Sequence, residues 1–148
     1  MNRESIARVQ LSHATLSASA VALSARFYDR FFAAEPAVRR LFPDDLTLQR
    51  AHFDAALAMV VHNLDDVNVL SASLRDLGAQ HLKWGAQPHH YFAVQNALVA
   101  VLEELSGDSW SAALEQDWRD AIGTVASFML QGAAVETAMA AEAIRPAP

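Results

Sequence analysis

The chain has 148 residues, 53% of them apolar and 19% charged, which suits one globular domain with a substantial core and excludes a disordered chain. Five glycines and five prolines are too few for the many tight turns of a sandwich of short strands, and the absence of Cys removes disulfides, thiolate metal sites and cysteine nucleophiles. The net charge of −6, with eleven Lys and Arg scattered along the chain, leaves no basic stripe for nucleic acid or an anionic membrane.

No apolar run is long enough to span a bilayer, and the first residues lead into an amphipathic stretch rather than a signal core, so a cytoplasmic protein is expected. Residues 4–18 read as a weakly amphipathic helix with Ile6, Val9, Leu16 and Ala20 facing inward. Residues 19–34 continue as a stronger one, whose Phe27, Tyr28, Phe31 and Phe32 share a face. Pro36 and Pro43 bracket Ala37 to Phe42, one or two turns at most. The next helix covers 46–63, with Gln49, Phe53, Leu57 and Val60/Val61 on one side and Asp44 or Asp45 as a cap. Asn63-Leu-Asp-Asp breaks it. From 67 to 82 the inward row is Leu70, Leu74, Leu77 and His81, stopped by Gly85. A helix over 88–105 turns Tyr91, Val94, Leu98, Val101/Leu102 and Leu105 inward. After a turn at Ser106-Gly107-Asp108, the last helix runs over 109–141 with Trp110, Leu114, Trp118, Ile122, Val125 and Phe128/Met129 inside. The ends, 1–3 and 143–148, are expected to fray. The reading is an all-α array of about seven helices in a single domain over 1–148.

Three polar residues occupy positions where the periodicity calls for apolar ones: His81, Gln49 and Tyr28. Burying them costs free energy unless they find partners. Together they could line a cofactor pocket. Each also has a plainer reading: a core histidine bonded to a carbonyl, a glutamine at the water-facing start of a helix, a tyrosine in an aromatic cluster. His89 and His90 are adjacent on a helix and so expected to point apart, at the surface. His52 and His62 have no partner at metal-ligand spacing. There is no His-Glu-x-x-His helix, Gly-rich phosphate loop or Gly-x-Ser-x-Gly elbow.

The order of the features resembles the globin family, in particular bacterial single-domain globins and the haem domain of flavohaemoglobins. Phe27-Tyr-Asp-Arg-Phe-Phe, Glu35-Pro and Arg40-Leu-Phe-Pro are similar to that family's early helices and corner. Leu77-Gly-Ala-Gln-His-Leu-Lys-Trp-Gly, then Pro88-His-His-Tyr and Asp117-Trp118, are similar to its later part. The resemblance covers roughly residues 4–135 and implies a globin fold around haem b (iron protoporphyrin IX). It makes His81 the iron ligand, through its neutral imidazole. It makes Phe42 the corner ring on the porphyrin, and Tyr28 and Gln49 the donors of hydrogen bonds to a bound gas. Phe53 then lines the same pocket, Tyr91 stands on the side of His81, and Lys83, Arg39 or Arg50 meets the propionates. His52, one turn from Gln49, could reach the sixth position of the iron. Two departures matter: the carboxylate that bonds toward the iron-ligating histidine in flavohaemoglobins aligns with Ala133, with Glu136, the nearest acid, expected on another face, and Phe53 is bulkier than the Leu or Val common at its place.

The function implied is reversible binding of O₂, with NO and CO, at a five-coordinate iron. Nitric oxide dioxygenation would be supported by a separate reductase. A homodimer through the Ala-rich last helix is a further expectation. The alternatives are a gas or redox sensor acting through a separate partner, and a globin-shaped scaffold that has lost haem.

Overall fold

In a computed structural model that describes residues 1–19 and 22–144, the chain is all helical, with no strand among the described residues. Ala20, expected to face inward, and the tail 145–148 lie outside the described residues. Helix α1 (Arg3–Ser17) starts at Asn2, whose side chain accepts the Ser5 N–H at 2.8 Å, and buries Val9 and Leu16, two turns apart. Helix α2 (Leu23–Ala34) buries Ser24, Phe27, Tyr28 and Phe31 on one stripe. It stops before Pro36, because a proline disfavours helical backbone in the residue ahead of it. Pro36 then opens a 3₁₀ segment, Pro36–Leu41.

Helix α3 (Thr47–His62) follows the acidic corner, with Asp45 accepting the Thr47 N–H at 2.9 Å. The interruption expected after Asn63 is a second 3₁₀ segment, Leu64–Leu70, with a non-helical kink at Asp66. Regular α geometry resumes only in α4 (Ser71–Lys83), four residues later than the apolar pattern predicts. The cause is a row at spacing three: Leu64 and Leu70 are buried and Val67 half-buried, and a three-residue turn puts all of them on one side. Helix α5 (Pro88–Ser106) begins with proline at its first position. A 3₁₀ turn, Gly107–Ser109, leads to α6 (Ala112–Ala143). That helix begins at 112 rather than 109 because Trp110 is extended and the Ser111 side chain caps it, accepting the Leu114 N–H at 3.1 Å. The first 3₁₀ segment and the six α-helices account for the seven helices expected. No helix among the described residues is long and apolar enough to cross a membrane.

Two apolar clusters hold the array together. The larger draws on α1, α2, α3, α5 and α6, around Val9, Phe27, Leu102 and Trp118, none more than 2% exposed. Each such side chain contributes about 1.5–3 kcal/mol by leaving water. The smaller joins Leu70 and Leu74 to Met129, with Leu77, Tyr91, Val125 and Phe128 packed against it. The broadest helix pairing is α4 on α6, whereas α3 and α4 barely touch. Two glycines permit the first. A Cβ on Gly78 would stand 1.8 Å from the Met129 carbonyl oxygen, and one on Gly132 would stand 1.8 Å from that of Arg75. Nothing larger than hydrogen fits at either point.

Candidate functional site

Helix α4 delivers His81 in its last turn, and the way the helix ends fixes that turn. Gly85 has φ +101°, the left-handed conformation that glycine adopts without cost. Its N–H reaches the Leu82 carbonyl at 3.0 Å, and the Ala86 N–H reaches the His81 carbonyl at 2.9 Å. This paired closure satisfies two of the carbonyls at the helix end. The His81 ring is set within the same turn: Nδ1 lies 2.8 Å from the Leu77 carbonyl oxygen. A carbonyl only accepts, so Nδ1 carries the proton and Nε2 keeps its lone pair. Burial pushes the imidazole pKa down, against a smaller upward pull from the Leu77 carbonyl, so the ring is neutral at neutral pH. Trp84, 59% exposed, stands beside it with ring centroids 5.1 Å apart.

Tyr28, Gln49, Phe42 and Phe53 come together at a second place. The Gln49 side-chain N–H donates to the Tyr28 hydroxyl at 2.9 Å. Burial and the charge of Asp54 push the Tyr28 pKa up, the Gln49 bond pulls it down, and the net is upward, so the hydroxyl keeps its proton. That proton has no acceptor among the described residues. Phe53 stacks on Phe27 at 4.4 Å and meets Tyr28 edge-on at 5.7 Å; Phe42 meets Tyr28 edge-on, also at 5.7 Å. Such contacts add about 0.5–1.5 kcal/mol each beyond burial, enough to hold the rings in register. Arg39 pins the corner that carries Phe42, donating to the carbonyls of Phe42, Pro43 and Asp44 at 3.3, 2.9 and 3.0 Å.

Among the described residues no hydrogen bond or ring contact joins this group to His81. The cluster that holds Tyr28 and the one that holds Leu77, a turn before His81, share Val60 of α3. At the corner, the Leu41 side chain lies near Gly85, just beyond the end of α4. The row Phe53, Leu57 and Val60 is only half-buried, on a helix with a single fully buried residue, Val61. Tyr91 packs against the smaller cluster beside Leu77, and burial pushes its pKa up.

The basic side chains are disposed differently. The Lys83 ammonium lies 3.3 Å from Glu136, whereas the Arg50 side chain makes no hydrogen bond among the described residues. His52 is exposed. Periodicity places these residues on faces but carries no trace of the Lys83–Glu136 pair, which links two helices 53 positions apart in sequence. The expectation that His89 and His90 point apart is not met: their ring centroids are 4.2 Å apart, with His89 exposed and His90 half-buried. The reason is local. His90 bends back to accept the Gln87 N–H at 2.9 Å, one half of the reciprocal cap that opens α5.

The chain belongs to the globin family, whose profile matches residues 25–129, from α2 into α6. Over 111 residues it is 28% identical to the anaerobic nitrite reductase NSHB5 of Oryza sativa subsp. indica, covering 71% of this chain and 77% of that one. Over 136 residues it is 27% identical to the flavohemoprotein of Vibrio cholerae, covering 88% of this chain but 32% of that protein. It thus spans about a third of the length of that relative. Among solved structures it superposes on an engineered carbene transferase, described as a candidate nitric oxide dioxygenase, from Rhodothermus marinus. The TM-score is 0.83 at 26% identity, over 95% of this chain and 99% of the other. The bacterial globin of Campylobacter jejuni, at 20% identity and a TM-score of 0.78 over 89% of this chain and 96% of that one, shares the fold.

Membership implies haem as the cofactor. The chain's own chemistry fits it: a neutral imidazole with a free Nε2, a phenol whose proton has no acceptor, and half-buried apolar side chains on a helix that barely packs against α4.

Proposed function

We propose that this chain is a single globin domain that binds haem b and takes up O₂, and with it NO and CO, reversibly. The observation that carries the reading is the state of His81, a neutral ring whose Nδ1 proton is committed to the Leu77 carbonyl and whose Nε2 is free to donate to a metal. Haem, when bound, supplies the iron at which diatomic gases are held. Everything else falls to side chains. His81 would hold the iron through Nε2. Phe42 and Phe53 wall the side away from it, and Tyr91 packs on the side of His81.

Tyr28 would donate a hydrogen bond to the gas and keep its proton. Gln49 orients the hydroxyl by bonding to its oxygen, and an accepted bond of this kind strengthens the bond the hydroxyl gives. Of Arg39, Arg50 and Lys83, the first is spent on its own corner and the last on Glu136, which favours Arg50 as the partner of the propionates.

The bond of Nδ1 to a neutral carbonyl rather than a carboxylate favours reversible binding over peroxidase-type activation. Ala133 offers no acid, and Glu136 is engaged by Lys83. Nitric oxide dioxygenation is the catalytic extension of this reading, with electrons from a separate reductase.

The test is the visible spectrum of purified protein supplied with haem, oxidised, reduced and with carbon monoxide. The wild type should give a five-coordinate ferrous form that takes up carbon monoxide, and His81→Ala should lose haem or hold it with an altered spectrum. Full haem content and an unchanged spectrum in His81→Ala would refute the assignment.

A further inference from the structure

We propose that Glu35, His89 and His90 form a second metal site, for one divalent transition ion of the zinc class, at the junction of α2 and α5. One ligand atom from each residue falls within 4.8 Å of the other two. They come from two elements: Glu35 ends α2, and His89 and His90 lie in the first turn of α5. Two imidazoles and a carboxylate are the donor set that borderline-soft divalent ions take, with nitrogen and oxygen at about 2.0–2.2 Å. Around an ion at that radius, tetrahedral donors stand roughly 3.4 Å apart. Closing the present spread therefore asks only a small rotation, which His89 can make because it is exposed.

The surroundings accept a cation. Glu35 and His89 edge a groove of about 440 Å³ that also holds Arg30, Phe92 and Asn96, with room for water to complete the coordination. Arg30, the one positive side chain there, is paired with Glu104 at 3.4 Å. The first turn of α5 opposes a cation and the last turn of α2 favours one, so the two helix ends offset each other.

Binding has one structural cost, and it gives the site a signature. The lone pair of His90 Nδ1 is in use, accepting the Gln87 N–H. Ligation through Nδ1 removes that bond directly. Ligation through Nε2 moves the ring proton onto Nδ1, where it faces the Gln87 N–H donor-to-donor. Either way the ion releases the Gln87 amide. One neutral hydrogen bond is a small loss beside three metal–ligand bonds.

The experiment titrates Zn²⁺ alone into the full chain carrying haem, so that His81 is already engaged, and follows heat and amide exchange. One ion per chain should bind with micromolar affinity. His89→Ala and Glu35→Gln should each weaken binding by roughly tenfold or more, and His52→Ala, which removes an exposed histidine elsewhere, should leave it unchanged. Exchange of the Gln87 amide should speed up when Zn²⁺ is added to the wild type and not in the two variants. These two variants carry the test because neither touches the cap that His90 makes. Failure to bind an ion, affinity unaltered in both variants, or Gln87 exchange that ignores Zn²⁺ overturns the site. The titration runs equally well on protein that takes up no haem, with His81→Ala as background, so failure here is separable from failure of the haem reading.

Discussion

The Tyr28 hydroxyl accepts one hydrogen bond and donates none among the described residues, so its proton is available to whatever enters beside it. Tyr28→Phe removes that donor and leaves the ring and its edge contacts in place. O₂ should then dissociate about five- to tenfold faster, the worth of one hydrogen bond of ordinary strength. Gln49→Leu should have a smaller effect in the same direction, and the double variant should fall short of the product of the two, because Gln49 works through Tyr28. Flash photolysis measures all three. Asp117 shows the same logic in a structural setting. It is 5% exposed, and Arg8 Nε donates to its carboxylate at 2.5 Å. Burial pushes its pKa up, but the bonds from Arg8 and Ser5 and the charge of Arg8 outweigh this and hold it below its ordinary 3.8. A depressed carboxylate stabilises the fold above the unfolded value and loses that contribution as pH falls through the folded one. The stability gap between wild type and Arg8→Gln should therefore be full at neutral pH and close on acidification below about pH 4, read from denaturant midpoints at the two pH values.

Helix α4 reaches its place by being laid backbone to backbone on α6. Gly78 and Gly132 are the contact points, and cross-links lie along the helix: the Arg75 guanidinium over the Phe128 ring at 5.2 Å, Arg75 to Gln131 at 3.1 Å, and Lys83 to Glu136 at 3.3 Å. Gly78 lies one turn before His81, so the position of the proposed iron ligand depends on this crossing. In most helix interiors Gly→Ala stabilises by roughly 0.5–1 kcal/mol. Gly123, also on α6, is such a place, since its added Cβ would make only an ordinary contact with Gln95 at 3.8 Å. Gly78→Ala and Gly132→Ala should instead destabilise, by about 1–3 kcal/mol or more, because a backbone carbonyl cannot give way. Thermal melts of the three variants, opposite in sign at the crossing and away from it, check this, and the two crossing variants should also release haem faster than wild type.

The array is not held equally tightly throughout. The larger cluster ties α1, α2, α5 and α6 together, and α4 is bound to α6, but α3 and α4 are joined to each other mainly through the 3₁₀ segment Leu64–Leu70. Regions with few tertiary contacts open at low free energy. Without haem, amides of α3 and of that segment should exchange faster than those of α5 and α6. Haem bound between α3 and α4 should protect them, and it should raise the melting temperature by linkage. Hydrogen exchange followed by mass spectrometry, with and without haem, reads both regions at once. Equal protection of α3 and α6 in haem-free protein would contradict this.

Periodicity was enough for the all-α class, the seven helices, the inward rows and the stop at Gly85, because each depends on neighbours within a turn or two. The same locality made Gly85 legible as a stop, and the order of motifs made the family legible. Contacts between distant parts of the chain were out of reach. No spacing rule reports that Gly78 meets Met129, that Lys83 pairs with Glu136, that Gln49 donates to Tyr28, or that His89 and His90 converge on Glu35. The proton on His81 Nδ1 belongs with these. A histidine and a leucine four residues apart were visible from the start, but burial of that ring against the rest of the array is what makes it neutral, and only packing supplies burial.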